Sequence, residues 1–511
     1  MTSEHLEVER KFEVGDCVPW VDLAELPAVR AVGSPSVSSL EASYYDTDRL
    51  SLLRAGITLR RRVGGPDSGW HLKLPSGSGD RVEFGEPLGP DDEPVPAPLV
   101  DLVRAWVRDH QLRPVAVLRT SRTVQLLIGD SDAVLAEAAD DMVTARALGN
   151  GAGPTVSHWR EWEIELIDGS TGLLDAAGAR MVTAGATASG FSSKLERALH
   201  DRLAELPARP RLGTASPRSR AGDVVFAHLV EQVDAMLTRD RQARYDEPDG
   251  VHKMRVATRR LRSALATFRP LLDRAVTDPL RAELKWIAAQ LGRARDAEVL
   301  RMRLLDEIAQ EPGELVLGHV SSRIEAELSA DHRTAHDALV RAMNSDRYYR
   351  LLDRLDQLIE APPWTRLADG RADKVLTRRI RKSYGRVERL VSAGAPRRRG
   401  ERDEWYHEIR KAAKRLRYAA ESVEPAFGTL AADLAEAAET LQEVLGEHQD
   451  SVVARLALRD LGARIHLDGD NAFTIGRLHA LEQVRGQDAV ARFRPAWQAV
   501  SSKRMLRWLK S

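Results

Sequence analysis

Cysteine is almost missing from this chain, with one residue, Cys17, in 511. A disulfide framework, a cysteine-rich metal centre and a CxxC redox pair are therefore excluded. Aromatic residues make up only 5%, too few for the stacking by which single-strand binders hold bases. No unbroken apolar run approaches the roughly 18 residues of a bilayer-spanning helix, and MTSEHLEVERKF at the N-terminus lacks the apolar core of a secretory signal. No GxxxxGK[ST] run occurs, which excludes a Walker-type nucleotide site. The expectation is a cytoplasmic protein that neither enters a membrane nor binds nucleic acid.

What the chain has is charge. Hydrophobic residues are 43% and charged residues 30%, an ordinary globular composition. The net charge of zero conceals an asymmetry. Residues 1–210 hold 22 Lys+Arg against 32 Asp+Glu, leaving 54 against 44 for the remainder. An acidic half joined to a basic half suits two domains that handle opposite charges, cations in one and polyanions in the other.

The stretch PARPRLGTASPRSRAGD at 207–223 has no apolar period and reads as a linker, placed at 207–220. Before it, short apolar/charged alternations bounded by Gly, Pro, Asp and Ser predict antiparallel strands: LEVERKF, GITLRRRV, GWHLKLP, DRVEFGEPL, VLRTSRTVQLLI and REWEIELIDG. After it, long helical periods rich in Ala, Leu, Arg and Glu predict helices. That half is duplicated. VHKMRVATRRLRSA from Val251 superposes without a gap on YHEIRKAAKRLRYA from Tyr406 at an offset of 155, and LGRARDAEVL from Leu291 on LGEHQDSVVA from Leu445 at 154. Matching order and spacing at two places predict two copies of one helical unit, about 221–370 and 371–511.

Alternate strand residues face one side. Glu7, Glu9 and Lys11 share a face, as do Arg60 and Arg62, His71 and Lys73, Arg81 and Glu83, and Glu161, Glu163 and Glu165. A half-exposed sheet explains any one strand. The segregation of Glu and Arg across all of them fits a closed barrel with charged faces inward, where each buried charge needs a counter-charge. Glutamates in one sector would chelate hard divalent cations, and Arg and Lys in another would grip phosphate oxygens.

These residues resemble the CYTH domain, the triphosphate tunnel metalloenzyme fold. The opening EVERK resembles its ExExK signature. The likeness continues in order through YYDT at 44–47, LRRR at 59–62, WHLKLP around Lys73, RVE at 81–83, RTSR with Arg122, AEAADD around Asp140, EWEIEL, and SSK ending at Lys194, covering about 4–205. The resemblance implies an eight-stranded antiparallel tunnel with flanking helices that binds a linear triphosphate and Mg²⁺ or Mn²⁺. It implies Glu7, Glu9, Glu163 and Glu165 as metal ligands, with Glu83, Asp140 and Glu161 in support. It implies Lys11, Arg60, Arg62, Lys73, Arg81, Arg119, Arg122 and Lys194 as the phosphate cradle, and Glu7, Glu9, Lys11 and Lys73 as catalytic. Glu137, Asp140 and Asp141 remain alternatives for the tunnel face. Metals bridging phosphate oxygens and a fixed cationic cradle offset the repulsion that slows attack on a polyanion.

In the helical half, His252, Arg255, Arg259 and Arg262 fall on one arc at 100° per residue, opposite Met254, Leu261 and Leu265. His407, Arg410, Lys414 and Arg417 repeat the stripe against Ile409 and Leu416. Arg260, Lys285, Arg293, Arg295, Lys411 and Arg415 add positive charge. A solvated face and core histidines are the alternative reading. HxxR…RRLR, LGxxRD and KRLRY resemble the CHAD domain over about 221–511, although Gln449 stands where the first copy has Arg295. That resemblance implies two helical bundles around a basic groove that binds inorganic polyphosphate without catalysis.

The expected protein is thus α+β, with domains at 1–206 and 221–511. It is expected to be a Mg²⁺- or Mn²⁺-dependent triphosphatase acting on tripolyphosphate or a related linear triphosphate, tethered to a polyphosphate-binding module. Three alternatives stay open: a non-catalytic polyphosphate-binding or granule-associated protein, a tunnel enzyme cyclising ATP, and one hydrolysing thiamine triphosphate.

Overall fold

The computed structural model describes residues 3–75, 80–90, 94–149, 153–207, 213–469 and 471–510, in two compact units, Met1–Ala208 and Arg209–Ser511. Of the expected linker, 208–212 lie outside the described residues.

The first unit is one antiparallel sheet. Its strands are β1 (Ser3–Glu7), β2 (Glu9–Val14), β3 (Ala31–Val32), β4 (Ser36–Asp46), β5 (Thr58–Val63), β6 (Gly69–Pro75), β7 (Arg81–Glu86), β8 (Arg113–Ile128), β9 (Val134–Ala147), β10 (Thr155–Leu166) and β11 (Thr187–Ala188). The order is β1-β7-β6-β5-β4-β8-β9-β10-β2-β11, with β3 on β8. Val8 alone separates β1 from β2 in the chain, yet β1 pairs β7 and β2 pairs β10. The sheet therefore curls, with one nearly continuous run contributing a strand towards each of its ends. The eight strands expected become eleven because that run is broken at Val8 and two two-residue strands, β3 and β11, are added.

The strands form because their apolar positions alternate, and the apolar faces point away from the curl. Short helices α1 (Ser51–Arg54), α2 (Ala97–Leu102) and α3 (Arg104–Val107), then α4 (Thr171–Thr183), α5 (Lys194–Ala198) and α6 (His200–Glu205), connect and flank the strands. Leu173, Leu174, Ala177 and Met181 of α4 pack on Phe12, Trp162 and Ile164. Leu99, Leu102, Val103 and Val107 cover Leu59, Trp70, Leu72 and Phe84. With the apolar cores between sheet and helices, the ionised faces are left to the inside.

The second unit is helical: α7 (Ala221–Arg244), α8 (Gly250–Thr267), α9 (Arg274–Gln310), α10 (Val320–Met343), α11 (Asp346–Glu360), α12 (Ala372–Ser392), α13 (Arg399–Glu421), α14 (Glu424–Phe427), α15 (Thr429–Leu467), α16 (Phe473–Val500) and α17 (Lys503–Leu506). α8 packs on α7 and α9, and α13 on α12 and α15, while α8 and α13 meet each other. The ends of the long helices α9 and α15 share a core with α10 and α16 through Leu304, Ile324, Leu458 and Leu478. Among the described residues, no helix is long and apolar enough to cross a membrane.

Candidate functional site

The curled sheet encloses a cavity of ≈ 620 Å³ whose wall carries Glu7, Glu9, Lys11, Tyr44, Arg60, Arg62, Lys73, Arg81, Glu83, Arg122, Glu137, Asp141, Glu163, Glu165 and Lys194. Strand register sorts these charges. Glu165 of β10 stands opposite Glu9 of β2 on one side and Glu137 of β9 on the other. One row higher, Glu163 faces Lys11. Higher again, Asp141 lies between Arg122 and Glu161.

The upper rows are charge-matched from within. Arg122 places Nε 2.8 Å and Nη2 2.6 Å from the two carboxylate oxygens of Asp141, and also bonds Glu163. Lys194 Nζ lies 2.6 Å from Glu163, 2.7 Å from Glu161 and 3.0 Å from Asp141. Against the opposing pull of burial, Glu161, Glu163 and Asp141 hold that ammonium well above its ordinary range. Asp141, Glu161 and Glu163 bring one ligand atom each within 4.8 Å of one another, close enough to hold a metal ion. Lys194 and Arg122 now supply the positive charge there.

The lower row is not matched. Lys11 bonds Glu9, and Lys73 bonds Glu7 and lies 3.2 Å from Glu83, whose other oxygen meets His71. Glu165 pairs with no cation among the described residues. Burial, then the neighbouring Glu7, Glu9 and Glu163, push its carboxyl up to about 7 against the pull of Lys73. Glu7 is buried, and its Oε2 has no hydrogen-bond partner among the described residues. Like charges directly opposite one another destabilise a sheet. An orphaned buried oxygen beside a carboxylate row fits a hard divalent cation, which takes several oxygen ligands. These residues fit a hard divalent cation in kind, while the ligand atoms close enough to share one ion are those of Asp141, Glu161 and Glu163.

The guanidinium groups of the cavity come from β5, β7 and β8, and Arg81 of β7 pairs in register with Glu7. Arg60 is 3.4 Å from the Tyr44 hydroxyl, and its Nε is buried without a partner among the described residues. Arg62 bonds Asp67 from the β5–β6 hairpin, and Arg81 reaches the Ser192 carbonyl at 2.8 Å. Tyr44 and Asp67 were missed in the sequence: a tyrosine facing a polar interior has no signature of its own, and Asp67 sits in a turn.

Two expected residues face away. Asp140 lies on the opposite face of β9 from Asp141 and holds Arg160 at 2.8 and 2.7 Å, so it does not reach the cavity. Arg160 in turn donates to the Asp16 and Val18 carbonyls, pinning the loop after β2. Arg119, three residues from Arg122, takes the outer face of β8 by the period of two and pairs with Glu41 at 2.7 Å in solvent.

The helical unit brings Arg255, Arg259, Arg410 and Lys414 together across the α8–α13 contact. Burial, then Arg259, Arg410 and Arg255, push the Lys414 ammonium down to about 6. Two helix glycines lie beside the cluster, where an added Cβ would sit at ordinary van der Waals distance. A Cβ on Gly292 would lie 3.7 Å from Arg255 Nε, and one on Gly446 3.4 Å from Arg410 Nε. Asp296 reaches Arg255 at 3.2 Å. The Nε atoms of Arg259 and Arg410 and Nδ1 of His407 are buried without partners among the described residues. Burial, then Arg295, lowers the His252 imidazole.

Other predicted members lie elsewhere. Arg260 and Arg417 are both bound by Glu421. Arg295 pairs with Glu298 at 2.9 Å. Arg293 bonds Gln290 and Lys411 bonds Glu408, both on exposed surface, and Lys285 is exposed on α9. Arg262 stands beside Arg259 and Arg281, and Arg415 beside Arg386, Arg281 and Arg262.

Residues 5–197 match the CYTH domain family and residues 227–459 the CHAD domain family. An uncharacterized protein of Mycobacterium tuberculosis (strain ATCC 25618 / H37Rv), Rv2226, is 39% identical over 492 residues, spanning 94% of this chain and 93% of that protein. Among solved structures, PptA from Streptomyces chartreusis aligns over 55% of this chain and 100% of its own at 24% identity and TM-score 0.46. The CHAD domain from the plant Ricinus communis aligns over 59% and 97% at 22% and 0.41. An acid-and-arginine-lined cavity in one unit, a buried cation cluster in the other, and family matches covering both in this order agree: the chain belongs to the proteins in which a CYTH domain is followed by a CHAD domain.

Proposed function

We propose that the first unit hydrolyses inorganic tripolyphosphate or a related linear triphosphate, and that the second binds inorganic polyphosphate without taking part in the chemistry. In this reading the sheet is a closed tunnel, and the helical unit is a pair of duplicated bundles, about 221–370 and 371–511. The observation that carries it is the convergence on one cavity of carboxylates, Glu7, Glu9 and Glu165, with an orphaned oxygen, and of the guanidinium groups of Arg60, Arg62 and Arg81.

A divalent cation, when bound by Glu7, Glu9 and Glu165, supplies Lewis-acid stabilisation of charge on the transferring phosphoryl group. The chain does the rest. Arg60, Arg62 and Arg81 bind and orient the phosphate oxygens, as guanidinium forks match such groups. Lys11 and Lys73 stand between the two sectors, bonded to Glu9 and Glu7, where they screen the approach of a polyanion to the carboxylates. Asp67 pairs with Arg62 and must yield it to a phosphate. The cavity walls exclude bulk water, which strengthens each of these interactions.

Phosphate release from tripolyphosphate, ATP and thiamine triphosphate, with and without Mg²⁺ or Mn²⁺, tests the reading. Tripolyphosphate hydrolysis should require metal and fall at least a hundredfold in Glu165→Gln and Lys73→Ala. Glu165→Gln should also raise the melting temperature of the metal-free protein, because a repelling charge has gone. Undiminished hydrolysis in both variants removes the assignment.

A further inference from the structure

Two histidines of α10, His332 and His336, stand one turn apart, with rings stacked at 25° and centroids 6.3 Å apart. The four-residue spacing puts both on one helix face. Each presents its Nε2 edge to the turn between α7 and α8. His332 Nε2 lies 2.7 Å from Asp246 Oδ2, while His336 Nε2 lies 4.0 Å from Asp246 Oδ1 and 2.9 Å from the Ala243 carbonyl. Two imidazole nitrogens and one carboxylate thus converge from two separate chain segments.

No other charge claims that carboxylate. Among the described residues no lysine or arginine pairs with Asp246, and Arg244, two positions earlier, is spent on Asp240 and on the Met343 carbonyl. His332 Nδ1 is buried without a partner among the described residues, so Asp246 alone orients that ring. The imidazoles are 14% and 13% exposed and the carboxylate 41%, so the carboxylate side is the way in for an ion and its water. A hydrogen bond to Asp246 needs one histidine. A second one aimed at the same carboxylate is what a metal ion needs.

We propose that Asp246, His332 and His336 bind one divalent transition-metal ion of the zinc class, through a carboxylate oxygen and the two Nε2 atoms, with water completing the shell. Two imidazoles and a carboxylate are the donor set of open zinc sites, and imidazole suits such ions better than Mg²⁺. This sets the site apart from the all-oxygen carboxylates of the first unit. The three donors do not yet surround one ion. Ligands on a tetrahedral ion stand roughly 3.3 Å apart, so the His332–Asp246 contact has to open and the His336–Asp246 gap has to narrow. The ion takes the place of the proton between His332 and Asp246, and His336 exchanges the Ala243 carbonyl for the ion. In each neutral ring the proton moves from Nε2 to Nδ1, leaving the ring charge unchanged. Ligation then ties α10 to the α7–α8 turn.

Calorimetric titration of the full chain with Zn²⁺, and its melting temperature with and without Zn²⁺, test the site. Ions taken by the first unit's carboxylates are common to every variant. Asp246 sits at a φ of 52°, in the left-handed region that Asn also tolerates, and Asp246→Asn can still accept from His332. That variant removes only the ligand charge, whereas His336→Gln removes one nitrogen donor. Each should weaken one equivalent of Zn²⁺ by at least ~100-fold, since even outer-shell partners of a metal can cost that much. Each should also reduce the rise in melting temperature that Zn²⁺ gives the wild type. Should His336→Gln lose stability without metal, Asp246→Asn alone decides. An equivalent kept at wild-type affinity in Asp246→Asn overturns the site, as does displacement of that equivalent by a modest excess of Mg²⁺, which would mark it as an oxygen-only site.

Discussion

Lys414 stands among Arg255, Arg259 and Arg410, and the burial and repulsion that bring its ammonium down to about 6 would make the proposed polyphosphate binding a proton-coupled event. Asp450 pulls the other way, but its carboxylate is shared with Arg410, and Asp296 is taken by Arg255. At pH 8 only ~1% of the empty protein holds this proton, against half at pH 6. A bound polyanion restores it, because the phosphate charge outweighs the three guanidinium groups. Affinity should therefore fall on the order of fiftyfold from pH 6 to pH 8, about 2 kcal/mol, at constant salt. Folding runs in the opposite sense. Unfolded, Lys414 keeps its proton up to near 10.5; folded, it releases it near 6. The unfolded chain holds more protons across that window, so the contribution of this group to stability rises with pH there, and the full repulsion is borne only below 6. Calorimetry of the full chain at pH 7.5, in buffers of different ionisation enthalpy, reads the proton uptake directly. Lys414→Arg keeps a charge at every pH and should abolish most of the uptake while still binding. His252, lowered by burial and Arg295, adds a smaller dependence that this variant leaves in place. Wild-type affinity that is flat from pH 6 to 8, or an equal slope in Lys414→Arg, refutes the reasoning.

Two further outcomes follow from the geometry. Asp140→Asn should cost about 1–3 kcal/mol of stability, through the weakened clasp on Arg160 and the loop it pins, with metal dependence of hydrolysis unchanged; a loss of metal response without a drop in melting temperature would return Asp140 to the cavity. Gly446→Ala should stabilise helix α15 by up to ~1 kcal/mol and leave polyphosphate binding unchanged, because the added Cβ meets Arg410 at ordinary contact distance, and weakened binding by the variant would refute this.

The period of two was enough to separate an ionised from an apolar face on each strand, because that property is local. It placed Glu7, Glu9 and Lys11 together, and Glu161, Glu163 and Glu165 together, and both sets line or border the cavity. The same period excludes Arg119 and Arg122 from sharing a face, and only a loose likeness put both in the cradle. Asp140 and Asp141 could not be ranked, because AEAADD carries small residues on both faces and so shows no apolar side to count from. Which carboxylate meets which cation depends on register between strands far apart in the chain. The row Glu137–Glu165–Glu9 exists because β10 pairs both β9 and β2, and no local pattern encodes that.

The helical half fails in a more instructive way. An alignment of the two copies pairs like with like, so it predicts that Arg260 and Arg415 do the same thing, and likewise Arg262 and Arg417. Contact pairs them crosswise instead. Arg260 and Arg417 meet on Glu421 at one α8–α13 crossing, where Glu439 also holds Arg417, while the offset puts Ala266 at the position equivalent to Glu421. A repeat that packs against itself doubles its charge where the copies agree, at Arg255, Arg259, Arg410 and Lys414. It differentiates where they do not. The repeated stripe therefore brings like charges together across α8 and α13, while departures such as Glu421 against Ala266 make the two crossings unlike.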